Sequence, residues 1–382
     1  MKRTSPDALN FFKIGNYPID LPSLMVIFIL QFIGLAILFS ASTITSYREF
    51  NDHYYLLKKQ GLWALISFVS FFIIINIPYK QYKKISLVGI ILSIILLGLV
   101  FAPGIGKSVD THYGRNFNRW ISFGGFQFQP SEFVKISLIL YVTHTLIKYR
   151  NNENKNLRVL IPPTLLLVCI LILIIFEPAY GTAIEIFILI VLLLFLDGFP
   201  IGKLILMIIA ITPLLIMLIY NVGYRKKRID VWLNPYKYRF DEGHQSVSSF
   251  RSFMEGGLLG NPLSTGYSHR YLTYSHTDFV LATFVEDYGF IGFLILTALF
   301  FFLILRLTML LRRVDDTFGF LFGCGLLSII SFQILVNMFV VTGILPITGI
   351  SLPFLSYGGS SLLTVMISLG ILLNITRTEN LT

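Results

Sequence analysis

The residues best suited to chemistry lie where polar segments meet long apolar runs. Asp278 closes the stretch Ser275-His276-Thr277-Asp278-Phe279-Val280, at the point where a long hydrophilic segment becomes an apolar helix. An ionisable side chain at such a boundary is costly unless it is wetted or paired, so it is a functional candidate. It could equally be a plain helix N-cap. A second group is Asn118-Arg119-Trp120-Ile121 followed by Gln129-Pro130-Ser131-Glu132-Phe133-Val134-Lys135. Pro130 suits a first helical turn, Glu132 suits the positive helix end, and Lys135 shares a face with Glu132. That pair is either a local ion pair or part of a polar cavity. A third group is Leu352-Pro353-Phe354-Leu355-Ser356-Tyr357-Gly358-Gly359-Ser360-Ser361. A small-residue helix contact would explain its glycines but not its hydroxyls. A carboxylate, an arginine, an acid–lysine pair and a run of hydroxyls are the side chains of proton transfer and anion binding.

The elements that must position these residues are membrane helices. Of 382 residues 55% are hydrophobic and only 13% charged, and several apolar runs exceed the ~18 residues that suggest a spanning helix. The expected class is an all-α polytopic membrane protein. The runs are continuous rather than alternating, which excludes a transmembrane β-barrel. Ten spans are expected, near 22–42, 61–78, 85–102, 131–148, 159–176, 182–197, 200–220, 280–311, 318–341 and 353–375. The organisation is one membrane domain over 1–382, with a cytoplasmic tail at 1–21 and a large extracytoplasmic loop at 221–277.

Lys and Arg crowd the short segments that are inner if the N-terminus is cytoplasmic, for example Lys80, Lys83, Lys84, Lys148 and Arg150. Both termini are therefore expected in the cytoplasm. The 221–277 loop disagrees, because it is outer yet holds Arg225, Lys226, Lys227 and Arg228. Either its length exempts it from the rule, or it binds an anionic ligand. The segments after spans three, seven and nine all fall outside and can converge on one cavity. Their irregular backbone must be buried in protein or line a wet cavity. The net charge of +10 points to anionic membrane lipids as partners, not nucleic acid. Cys169 and Cys324 each lie in an apolar run and suggest no disulfide framework. The six His show no metal-ligand spacing, so no protein metal site is expected. Pro103-Gly104-Ile105-Gly106-Lys107-Ser108 lacks the first glycine of a phosphate-binding loop.

Three long motifs in order resemble the SEDS family (shape, elongation, division, sporulation; the FtsW, RodA and SpoVE type). They are Arg119-Trp120-Ile121 with Gln129 to Lys135, His276-Thr277-Asp278-Phe279 with Glu286-Asp287-Tyr288-Gly289, and Leu345-Pro346 through Ser361. Tyr54-Tyr55-Leu56-Leu57-Lys58-Lys59-Gln60, Ile77-Pro78-Tyr79 and the close Leu373-Asn374-Ile375-Thr376-Arg377 resemble the division branch more than the elongation branch. The resemblance implies an inverting peptidoglycan glycosyltransferase in the bacterial cytoplasmic membrane. It would polymerise lipid II, the undecaprenyl-diphosphate-linked disaccharide peptide, beside a class B penicillin-binding transpeptidase. It implies Asp278 as the base, with Arg119, Trp120, Gln129, Glu132, Lys135, His276, Thr277, Ser356, Gly358 and Ser360 as substrate contacts. The cofactor is left open, with a divalent cation such as Mg2+ as one option. A lipid-linked precursor flippase and a non-catalytic division scaffold are the rival readings. One departure matters: the family's usual Gln-Pro-Asp-Leu-Gly-Thr reads Glu177-Pro178-Ala179-Tyr180-Gly181-Thr182 here. Any role of the family's Asp is thereby put in doubt. The glycine-rich Gly256-Gly257-Leu258-Leu259-Gly260-Asn261-Pro262 also departs from the family's more regular pattern.

Overall fold

A computed structural model gives the architecture. It describes residues 11–379 apart from 15–16, 111–115, 124–125, 153–156, 178, 221–222, 264 and 273–274. Residues 1–10 of the expected 1–21 tail, and parts of 103–132 and 221–277, thus lie outside the described residues. The chain is a helical membrane bundle. Among the described residues six helices are long and apolar enough to cross a membrane, and three shorter apolar helices accompany them. The long ones include α1 (Leu21–Phe50), α2 (Tyr55–Ile74), α3 (Tyr82–Leu99, continuous with a 3-10 turn at Tyr79–Gln81), α11 (Val280–Leu311) and α12 (Thr317–Val341). The last is α13 (Gly359–Glu379). The shorter ones are α5 (Ile161–Phe176), α6 (Tyr180–Leu196) and the start of α7 (Ile201–Tyr220).

One more helix, α4 (Pro130–Arg150), coincides with an expected span but carries Glu132, Lys135, Lys148 and Arg150. Its charges keep it out of a purely apolar class, and its middle is nonetheless buried from Val134 through Leu140. The 221–277 segment is not plain loop. It holds α8 (Gly223–Leu233), a 3-10 turn, α9 (His244–Gly256) and the short α10 (Ser268–Tyr271). Two small sheets were not expected. A hairpin of β1 (Phe11–Ile14) and β2 (Tyr17–Asp20) lies at the start of the described chain. An antiparallel meander of β3 (Gly106–Asp110), β4 (Asn116–Phe123) and β5 (Phe126–Phe128) fills the segment before α4.

Polar ties fix the helix ends. Asp20 caps α1 by accepting from Ser23 N (3.1 Å), and Arg306 of α11 grips the same carboxylate (Nη2 to Oδ1, 2.6 Å). At the far end of α2, Asn374 donates to Ile75 O (2.8 Å) and accepts from Tyr79 N (2.9 Å). These side chains satisfy backbone groups that helix ends leave open. Span ten starts later than expected, because 342–358 is irregular and α13 begins only at Gly359. Gly343 (φ +80°), Gly349 (φ +76°) and Phe354 (φ +69°) take left-handed backbone there, which no helix accommodates.

Candidate functional site

A cavity of about 770 Å³ opens where the three polar segments meet. Arg119 and Trp120 reach it from β4, held in register by the pairing of Trp120 with Lys107 and of Ile121 with Phe128. Gln129 and Glu132 come from the start of α4, Arg228 and Trp232 from α8, His244 and Phe250 from α9. Thr277 and Asp278 come from the stretch before α11, and Gly343, Leu345 to Ser351, Tyr357, Gly358 and Ser361 from the broken segment.

The broken segment survives because side chains complete its backbone. Trp232 Nε1 donates to Gly343 O (3.0 Å) and Arg228 Nη1 to Ile347 O (2.9 Å). Buried Asn337 of α12 donates through Nδ2 to both Ile350 O (2.8 Å) and Asp278 O (2.9 Å). One side chain therefore fixes the backbone of Asp278 against the segment opposite. Uncovered carbonyls at membrane depth would each cost several kcal/mol, roughly, which is why such donors are needed.

The expected site residues divide into two sets. Arg119, Trp120, Gln129, Glu132, Thr277, Asp278 and Gly358 line the cavity. Lys135, His276, Ser356 and Ser360 do not, and each braces a residue that does. Lys135, fully buried, donates to Glu132 Oε1 (2.9 Å) and to both oxygens of Glu185 (3.3 Å each). Ser356 Oγ donates to Thr277 O (2.8 Å) and accepts from Leu352 N (2.8 Å). Ser360 Oγ accepts from Gln129 N (2.9 Å). His276 O accepts from Tyr357 N (2.8 Å), and the two rings meet edge to face at 5.9 Å. Burial pushes the His276 imidazole down to about 4, so it is neutral at ordinary pH.

Asp278 is half-buried, and a side chain at Gly349 would touch its Oδ2. Burial pushes its carboxyl above the usual range, while Arg228 and then Arg119 pull it down. A carboxylate raised by burial yet faced by two cations is a candidate proton acceptor.

Sequence reasoning missed Glu185, Arg228, Trp232 and Asn337. Arg228 was counted only as one of a basic run, and the fold singles it out. Lys227 pairs with Glu242 and Arg251 with Glu255 (2.7 Å), whereas Arg228 turns to the cavity. Glu185 stands in the apolar run Ala183-Ile184-Glu185-Ile186, and an acid there was itself a signal. Glu177, the acid two residues before Ala179, does not line the cavity. Its backbone carbonyl accepts from Arg119 Nε (3.0 Å), but its side chain is buried. Among the described residues neither carboxyl oxygen has a hydrogen-bond partner, and burial pushes the group up to about 8. Among the described residues no three of His, Cys, Asp and Glu converge as a metal-binding group.

The sequence profile of the FtsW/RodA/SpoVE family, described as cell cycle protein, matches residues 21–381. The chain belongs to this family. It is 35% identical over 369 residues to the probable peptidoglycan glycosyltransferase FtsW of Geobacter sulfurreducens, covering 96% of this chain and 97% of that protein. It is 32% identical over 380 residues to the stage V sporulation protein E of Bacillus subtilis, covering 98% of each. The fold matches a chain of a peptidoglycan synthase complex that coordinates polymerization and crosslinking (TM-score 0.77, 24% identity, 94% of this chain and 98% of that one). It also matches the rod shape determining protein RodA of Thermus thermophilus (TM-score 0.67, 23% identity, 94% and 96%). The FtsW/RodA/SpoVE profile includes every element that lines the cavity.

Proposed function

We propose that this chain is a peptidoglycan glycosyltransferase that polymerises lipid II at the outer face of the bacterial cytoplasmic membrane, in the division role of its FtsW-named relatives. Asp278 facing Arg119 and Arg228 in one cavity carries the reading. In the reaction an acceptor sugar hydroxyl attacks the anomeric carbon of the donor. Its proton passes to the Asp278 carboxylate, and the bond from that carbon to the diphosphate oxygen breaks with inversion. Arg119 and Arg228 suit the departing diphosphate, because a guanidinium fork pairs with phosphate oxygens. Trp120 offers an aromatic face for a sugar. The Ser351 and Ser361 hydroxyls, 2.9 Å apart, add polar contacts. Glu132 and Lys135 brace the wall rather than react.

The chain is read as crossing the membrane ten times with both termini cytoplasmic, so that 221–277 and the cavity face outward. A class B transpeptidase is the partner read from the family. Purified protein supplied with lipid II, alone and with such a partner, tests the activity. Glycan polymer is the expected product. Translocation without polymer would identify a flippase instead, and neither would identify a scaffold.

A further inference from the structure

The segment between α7 and α11 has an edge that the cavity does not use. α9 turns Ser248, Ser249, Ser252 and Gly256 inward, all buried. Residues 248, 252 and 256 are four apart, the spacing at which small residues let helix backbones approach closely. A side chain at Gly256 would collide with Val285 O of α11, and Ser249 Oγ donates to Val341 O (2.8 Å).

The chain then turns through Gly257 (φ +51°) and Gly260 (φ +85°). The turn is bonded into α11: Phe290 N donates to Gly257 O (2.9 Å), Ile291 N to Leu258 O (3.2 Å), and Asn261 N to Glu286 O (2.9 Å). The α11 groups in these bonds, two donors and the Glu286 carbonyl, are available because Gly289 (φ +67°, ψ −171°) interrupts the α11 ladder.

So fixed a turn should bury its apolar side chains, yet this one displays them. Met254, Leu258, Leu259 and Leu263 are 72%, 69%, 80% and 51% exposed. The α11 residues bonded to the turn, Phe290 and Ile291, begin that helix's exposed apolar surface, which continues through Leu294 and Ile295. From Phe290 to Leu311 the helix is about 33 Å long at ~1.5 Å per residue, close to the ~30 Å hydrocarbon thickness. A hydrocarbon layer spanning Phe290–Leu311 would have its edge level with the turn, and the patch runs directly into the exposed apolar surface of α11. Arg251, on the preceding turn of α9, is paired with Glu255 and stacked over the Tyr267 ring (4.0 Å), which keeps its charge engaged.

We propose that the 254–263 turn is an interfacial anchor. Met254, Leu258, Leu259 and Leu263 immerse in the boundary between headgroups and acyl chains of the leaflet on the cavity side. α9 also gives His244, Gln245 and Phe250 to the cavity wall. The anchor thus holds that wall against the bilayer as well as against α11. Lipid is the occupant because the patch is continuous with the membrane-facing surface and its four residues carry no charge.

The test is Leu258→Trp and Leu259→Trp in the full chain, in phosphatidylcholine vesicles with ordinary or brominated acyl chains. Emission is measured as the difference from the parent, which holds Trp63, Trp120 and Trp232. Both sites are exposed, so the thermal midpoint of each variant should match the parent. The added emission should be blue-shifted, should lose most of its intensity in brominated lipid, and should be untouched by iodide on both sides. Quenching by iodide would put the turn in water and overturn the anchor. Quenching by neither would mean that a second copy or another protein covers the patch, which also overturns it.

Discussion

At the residue scale the reading stands or falls on Asp278. Asn nearly matches its shape but cannot take a proton. Asp278→Asn should therefore lower the initial rate of glycan-strand formation by about 10²–10⁴-fold with the thermal midpoint unchanged. A cap would behave otherwise, since Asn caps about as well as Asp. Retention of most of the rate would leave only the cap. The pH profile gives an independent check. A base must be ionised, so the rate should rise with pH through the raised pKa of Asp278. Arg228 is the larger of the two cations lowering that pKa. Arg228→Gln should move the acid limb to higher pH as well as reduce the maximum rate. An unmoved limb would detach the profile from Asp278. Lys135 answers to stability instead. It is a buried cation between two carboxylates, and removing one partner of such a group costs about 3–5 kcal/mol. Lys135→Met should lower the thermal midpoint sharply, and adding Glu185→Gln should recover part of the loss. Equal midpoints for the single and double variants would mean that Glu185 contributes nothing to the site.

At the element scale the cavity depends on helices that stop in the right places. α11 is interrupted at Gly289, where a side chain would strike Gly260 N and Leu258 O. Backbone of that kind excludes a Cβ by sterics and by its positive φ. Gly289→Ala should cost about 1–3 kcal/mol and speed proteolysis within 256–263 before the bundle opens. A variant with parent-like cleavage there would show that the kink does not hold the turn. The gap between α12 and α13 is stabilised from outside itself, by Trp232, Arg228 and Asn337. Loops buried at membrane depth need such donors, and these come from elements far apart in sequence.

For the whole molecule the direction in which the cavity faces is testable by labelling. Phe240 stands at the cavity rim and is 84% exposed, while Arg313 is exposed just past the opposite end of α11. In intact cells Phe240→Cys should react with a membrane-impermeant thiol reagent, and Arg313→Cys should react only after permeabilisation. The reverse pattern would invert the bundle and place the cavity where no lipid II headgroup on the outer face could enter it.

The sequence by itself determined the class of molecule, most of the long helical segments and several of the polar residues that line the cavity. Apolar run length is a local property that the bilayer's thickness reads directly. Asp278, Arg119 and Glu132 were visible because charge at the end of an apolar run is conspicuous whatever the fold. Pro346, Pro353 and the Ser356-Tyr357-Gly358-Gly359-Ser360-Ser361 cluster announced broken helix for a similar reason, since backbone preference is local. Tertiary structure alone decided which of several like residues does what. Arg228 and Lys227 are neighbours in sequence, and only packing sends one to the cavity and the other to Glu242. Ser356, Ser360 and Ser361 look alike in the chain. In the fold the first two hold backbone groups, and the third faces the cavity. Asn337 and Glu185 meet their partners across 59 and 50 residues of sequence. Contacts at that separation depend on how helices cross, which no local pattern of residues encodes.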